Sequence, residues 1–408
     1  MVKNIISFTN QEKDIAQKIK LLKEEAGSHS PSIYTIAEKL PQLNITVDAC
    51  FLSNPYATDL FLQYFTEELI NSGKIKEVLE YYPSQNQTIA GVLAKHLNVS
   101  PTNIFVGNGA TEIIQAVIHN FTTEKIVVNI PTFSPYYEFV KDGIEVVYNK
   151  LDKQDHFVLN IEDYIRLVKR EKPDTIVLIN PNNPDGGYIN LERMKYLVQK
   201  LSWVKNVIID ESFIHFAYEE EVEYNLKSLI EISQQFPNLV LIKSMSKDFG
   251  IAGIRAGYAI MDEHKVNHLL KQGYLWNLSG LAEYFFRLYV QPDFLRMYEQ
   301  VRISYIQSTQ QFFYKLAKIK GLKVYPSMAN FVLVELNNGI LATDFTAKLL
   351  LKYGIYIRNC ADKIGLDGQF VRIASRTTQQ NELVMDCITD LFQNTGYPEN
   401  LFSLGTKQ

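Results

Sequence analysis

From about residue 87 to 261, short apolar runs rich in valine and isoleucine alternate with amphipathic stretches. This alternation constrains the chain more than any other feature. "NIFVGN", "KIVVNIP", "EVVYNKL", "TIVLINP", "NVIIDES", "LVLIKSMS" and "AGYAIM" read as strands. "TIAGVLAKHL", "ATEIIQAVIHNF", "YYEFVKDG", "IEDYIRLVKRE" and "LERMKYLVQKL" read as the helices between them. Strands that are apolar on both faces need helices on both faces, so the spacing predicts an α/β domain with a mainly parallel sheet. From about 295 a long helical stretch follows, and then the strand-like runs "LKVYPSMANFVLVEL", "GIYIRNC" and "QFVRIASR". These predict a smaller α+β domain. A chain of 408 residues exceeds what one core supports. The expected division is an N-terminal arm and a segment packing with the small domain over 1–85, a large domain over 86–295 and a small C-terminal domain over 296–408. Residues 10–25 are charged with helical spacing, and "GSHSPS" (27–32) reads as a loop.

Charge and cysteine content exclude several classes. A net charge of −4 without a concentrated basic face gives no footing for nucleic acid. Three widely spaced cysteines, with no CxxC, fit free thiols in a reducing compartment and no metal site. No run of 18 apolar residues suits a membrane, and "MVKNIISFTNQEKDIAQKIK" lacks the apolar core of a signal peptide. The expectation is a cytoplasmic protein with no membrane contact.

In open α/β sheets, ligands bind beyond the carboxyl ends of the strands. Those positions hold "GNGATE" (107–112), "PTFSPYY" (131–137), "NPNNPDGG" (180–187), "DESF" (210–213) and "SMSK" (244–247). Gly109, Ala110 and Thr111 open a helix after a glycine turn, which makes an anion cradle of free N–H groups. Asp210 ends an apolar strand and needs a cationic partner there. Lys247 stands where the chain must bend, and a lysine in a partly dry site can lose its proton and attack a carbonyl. Ser244, Ser246 and Arg255, eight positions after the lysine, suit a phosphate on the same ligand.

The order of these signals resembles the fold-type I pyridoxal-phosphate enzymes, the class I/II aminotransferase family, from about residue 50 to 385. Within that family the chain is similar to histidinol-phosphate aminotransferase and threonine-phosphate decarboxylase. The resemblance implies pyridoxal 5'-phosphate as cofactor and Lys247 as the residue that bonds its carbonyl and later moves a proton. It implies Asp210 on the pyridinium nitrogen, Asn183 on the ring hydroxyl and Tyr136 stacked on the ring. Gly109, Ala110, Thr111, Ser244, Ser246 and Arg255 would hold the phosphate. Tyr82 would reach the neighbouring subunit's cofactor, which implies a homodimer with shared sites. Asn54 and Tyr56 in "LSNPY", Asn330, Arg358, Arg372 and Arg376 would meet the substrate. Phe213 stands where the family aminotransferases usually carry tyrosine, so one contact to the ring hydroxyl is lost. The three arginines suit a substrate carrying a phosphate as well as, or instead of, a carboxylate. Amino transfer to or from a small phosphorylated compound is the first expectation. Decarboxylation of a phosphorylated amino acid is the second, and a non-catalytic cofactor-binding regulator is the third.

Overall fold

The computed structural model describes residues 6–220, 224–274, 276–337 and 339–394. Positions 395–408 of the predicted small domain lie outside the described residues. Among the described residues, twelve strands form two sheets. In chain order they are β1 (Val47–Ala49), β2 (Ile104–Gly107), β3 (Lys125–Ile130), β4 (Glu145–Lys150), β5 (Thr175–Ile179) and β6 (Asn206–Asp210), then β7 (Leu239–Ser244), β8 (Gly257–Ile260), β9 (Leu322–Val324), β10 (Phe331–Leu336), β11 (Ile355–Asn359) and β12 (Phe370–Ala374).

The larger sheet has the order β2-β8-β7-β6-β5-β3-β4. Its pairs are parallel except at β8, which runs antiparallel to both β7 and β2. β5, β6 and β7 are buried at every position, as the unbroken Val/Ile/Leu runs require. The carboxyl ends of β6 and β7 carry Asp210 and Ser244, so the sheet delivers both to one edge. The helix Ala110–Phe121 follows β2, with Gly109 as its N-cap.

The smaller sheet has the order β1-β11-β12-β10-β9. β11 and β12 run antiparallel, with Arg358 directly opposite Arg372. The long run "LKVYPSMANFVLVEL" divides into β9 and β10 because Pro326 cannot donate to a ladder. The resulting turn docks on the loop that follows β5, Met328 N–H donating to Gly186 O at 2.9 Å.

Two local readings change. "YYEFVKDG" is helical only over Pro135–Glu138, with Phe139 as C-cap, and the chain turns again at Gly143, with φ +87. Residues 47–49 form a strand that pairs in parallel with β11, too short for any periodicity to reveal. The helix Pro55–Phe65 then starts cleanly, with Asn54 as N-cap and proline in its first turn. Among the described residues no helix is long and apolar enough to cross a membrane.

Candidate active site

A cavity of about 240 Å³ lies at the carboxyl ends of β6 and β7, between the two sheets. Lys247, Asp210, Asn183, Phe213 and Arg255 line it, as do Ala110, Thr111, Ser244 and Ser246. Arg358 and Arg372 close the side toward the smaller sheet.

The phosphate cradle is built from backbone. The helix Ala110–Phe121 has no side-chain cap, which leaves its first N–H groups for a ligand. Gly109 sits at φ +80, and a Cβ there would stand 2.3 Å from Arg255 Nη2. Arg255 itself has φ +63, a strained conformation for an arginine. Its guanidinium donates to Asn108 O at 3.2 Å and Ala252 O at 3.2 Å, so it is fixed beside the helix start. Ser244 and Ser246 stand at the same edge, with Ser246 N–H donating to Ser244 Oγ at 3.2 Å. We expect Gly109→Ala to weaken cofactor affinity by about 10- to 100-fold, from strain of about 1–3 kcal/mol. Titration of the apo-chain with pyridoxal 5'-phosphate measures it, and an unchanged affinity would reject the cradle.

Asp210 is 3% exposed. Its carboxylate accepts from Tyr136 Oη at 2.8 Å and from Ser212 N–H at 2.8 Å. Burial pushes its pKa up, against the hydrogen bonds from Ser212 and Tyr136. A buried acid facing a cavity, held by neutral donors, is suited to a protonated ring nitrogen. Lys247 is held by its backbone, its carbonyl accepting from Asn54 N–H at 2.8 Å. Removal from water, then Arg372 and Arg255, bring its pKa down to about 8. The neutral amine is therefore accessible near neutrality. These residues fit the cofactor that the motifs imply.

Several expected positions have other surroundings. Tyr136 is wholly buried beneath Asp210, its hydroxyl spent on the carboxylate, and it is not on the cavity wall. Phe133, three residues earlier, lines the cavity instead, so the stacking role expected of Tyr136 is corrected to a role behind Asp210. Tyr82 is 91% exposed and lies outside this chain's cavity wall.

Asn54, Tyr56, Asn330 and Arg376 also stand off the wall. Asn54 Oδ1 accepts from Tyr56 and Ala57 N–H as a helix cap, and Tyr56 Oη accepts from Thr378 N–H. Asn330 Nδ2 donates to Leu52 O at 2.9 Å, and Arg376 Nη1 to Ser53 O at 2.7 Å. Arg372 does both jobs: it lines the cavity, and it donates to Cys50 O at 2.8 Å and Asn183 Oδ1 at 2.7 Å. Three side chains from beyond residue 329 thus grip the carbonyls of Cys50, Leu52 and Ser53. For Asn330 and Arg376 the expected substrate contact gives way to holding the 50–54 segment over the site.

The sequence reading missed Phe133, Ser212, His29, Ser30 and Lys363, all on the wall. Phe133 and Ser212 lie inside quoted strand-end motifs and were available there. His29 and Lys363 lie in loops with no periodic signal.

The model for aminotransferase class I and II matches residues 53–388. An L-serine phosphate decarboxylase of Campylobacter jejuni is 60% identical over 95% of this chain and 100% of its own length. One from Sulfurospirillum multivorans is 48% identical over 92% and 95%. A solved structure of a decarboxylase from Sulfurospirillum multivorans superposes with a TM-score of 0.90 at 46% identity, covering 94% of this chain and 98% of that one. The chain belongs to the class I and II aminotransferase family of fold-type I enzymes, and pyridoxal phosphate is its cofactor. Amino transfer, the first expectation from the motifs, is corrected by these relatives: they favour the decarboxylase reading that stood second. The family motifs serve the cofactor, which both reactions share, so they do not discriminate between them.

Proposed function

We propose that the protein is a pyridoxal-phosphate-dependent decarboxylase of L-phosphoserine, releasing CO₂ and leaving phosphoethanolamine. One observation carries this reading: full-length relatives at 60% and 48% identity bear the name L-serine phosphate decarboxylase. The cavity's charge supports it. Among the described residues, Lys247, Arg255, Arg358, Lys363 and Arg372 line it, and Asp210 brings the one carboxylate of the wall. Such a site suits a ligand set with three anionic groups: the cofactor phosphate, a substrate carboxylate and a substrate phosphate.

When bound, the cofactor supplies an electron sink for the pair left as the Cα–carboxylate bond breaks. The chain's residues do the rest. Asp210 holds its charge at the ring-nitrogen end, steadied by Tyr136 and Ser212. Arg372, locked on Asn183 and Cys50, presents its guanidinium for the substrate carboxylate. Lys247 Nζ, with a pKa near 8, carries the proton that Cα takes in place of the lost carboxyl group. The 50–54 segment shuts water out of this face.

The reading also takes the enzyme as a cytoplasmic homodimer, with exposed Tyr82 reaching the partner's cofactor phosphate. Its domain division remains 1–85, 86–295 and 296–408. Purified holoenzyme incubated with L-phosphoserine and no keto acid should release CO₂ and phosphoethanolamine in equal amounts. Amino transfer that appears only when a keto acid is added would defeat the decarboxylase reading.

A further inference from the structure

The loop 27–32 contributes Ser28, His29 and Ser30 to the cavity wall and is tied down on both sides. From the smaller sheet, Arg358 Nη2 donates to Ser28 O at 2.8 Å, and Nη1 to His29 O at 3.3 Å and Ser30 Oγ at 3.2 Å. Tyr356 Oη donates to Pro31 O at 3.0 Å. From the larger sheet, Ser28 Oγ donates to Glu138 at 2.9 Å, and the His29 ring meets Phe133 edge-on at 6.2 Å. The loop is a strap joining the two halves, and it places His29 on the cavity wall beside Phe133.

Arg358 is 4% exposed, and its guanidinium is committed. Besides the strap it pairs with Asp362 at 2.7 Å, and Asp362 also pairs with Lys23 at 3.1 Å. The next residue, Lys363, differs. Its ammonium makes no hydrogen bond or ion pair among the described residues, yet it stands on the cavity wall. Burial, then the Arg358 charge, push its pKa down to about 8. A half-buried cation on the cavity wall without a partner is costly, and an anion in the cavity relieves that cost.

Assignment then follows by elimination among the wall's cations. Arg255 is fixed at the helix start, on the cofactor-phosphate cradle. Arg372 is fixed on Asn183, near Lys247, where a substrate carboxylate belongs. Arg358 is spent on the strap. We propose that Lys363 and the imidazole of His29 bind the substrate's phosphate, and that Arg358 is a positioning residue that holds the strap presenting His29. This rests on the reading of the enzyme as a phosphoserine decarboxylase.

Steady-state CO₂ release from L-phosphoserine by the holoenzyme tests it, with Lys363→Ala, Lys363→Arg, His29→Asn and Arg358→Ala compared with the parent. Phosphoethanolamine binding is measured by calorimetry on the same proteins. Lys363→Ala and His29→Asn should each raise KM about 10- to 100-fold, the span for losing one hydrogen bond to a charged group, with kcat changed far less. Phosphoethanolamine affinity should fall by a similar factor, and Lys363→Arg should restore most of both. Arg358→Ala should open the strap, so that limited proteolysis cuts near residues 27–32 much faster than in Lys363→Ala. If the parent releases no CO₂ from phosphoserine, the functional reading itself fails. If the parent is active and Lys363→Ala keeps its KM and its product affinity, only the subsite assignment fails. If Arg358→Ala raises KM with no change in proteolysis, Arg358 is itself the phosphate ligand and the strap role is overturned.

Discussion

Replacing Lys247 with alanine is expected to lower CO₂ release by about 10³-fold or more, because one amine serves as both cofactor anchor and proton carrier. Borohydride reduction of the parent holoenzyme should fix the pyridoxyl group on the peptide containing Lys247, and the variant should show none there. The pH dependence has a definite sign. Burial, Arg372 and Arg255 lower the pKa of Lys247 to about 8 by disfavouring its charged form. Only the neutral amine attacks a carbonyl, so capture of pyridoxal 5'-phosphate by the apo-chain should speed up with pH and level off above about 8. A rate still climbing steeply near pH 10 would mean that the cavity does not depress this lysine.

The second large effect falls on Asp210. Asp210→Asn keeps the shape and one oxygen to accept from Ser212 N–H, while its amide N–H takes the place of the oxygen that faced the Tyr136 hydroxyl, which can turn to accept it. It removes the charge that a protonated ring nitrogen needs. Cofactor should still bind, as seen by its absorbance, while turnover drops on the order of 10²-fold or more, the usual scale for losing one preorganised electrostatic contact. A variant with near-parental turnover would remove Asp210 from the chemistry.

What the sequence made legible is what local pattern and chain order encode. Asp210, Ser244 and Lys247 were readable because they end apolar strands or follow one closely, where open sheets bind ligands. The antiparallel return that sets Arg358 opposite Arg372 was readable from two strand-like runs joined by a loop. The task of each arginine was not readable. Arg358, Arg372 and Arg376 look alike in sequence, yet all three guanidinium groups hold carbonyls far away in the chain, at Ser28, Cys50 and Ser53, and only Arg358 and Arg372 also line the cavity. Tyr136 against Phe133 shows the same limit: both are aromatics in one motif, and only the short turn Pro135–Glu138 decides which ring faces the cavity. Lys363 and His29 lie in irregular loops, whose side-chain directions depend on packing rather than on period.

The pairing of β1 with β11 bears on how the chain is made. Val47 joins Ile355 in one ladder, and Thr46 bonds Gly354, 308 residues further on. At ribosomal speeds of about 5–20 residues per second, the first of these partners waits roughly 15–60 s for the second to emerge. The larger sheet is contiguous from residue 104 to 260 and can fold meanwhile. The smaller sheet cannot be completed until Phe370–Ala374 has emerged. The 50–54 segment, with its exposed backbone, waits with it for Asn330, Arg372 and Arg376. A nascent chain that has passed residue 260 therefore carries every strand of the larger sheet behind a segment whose ladder partner has still to emerge.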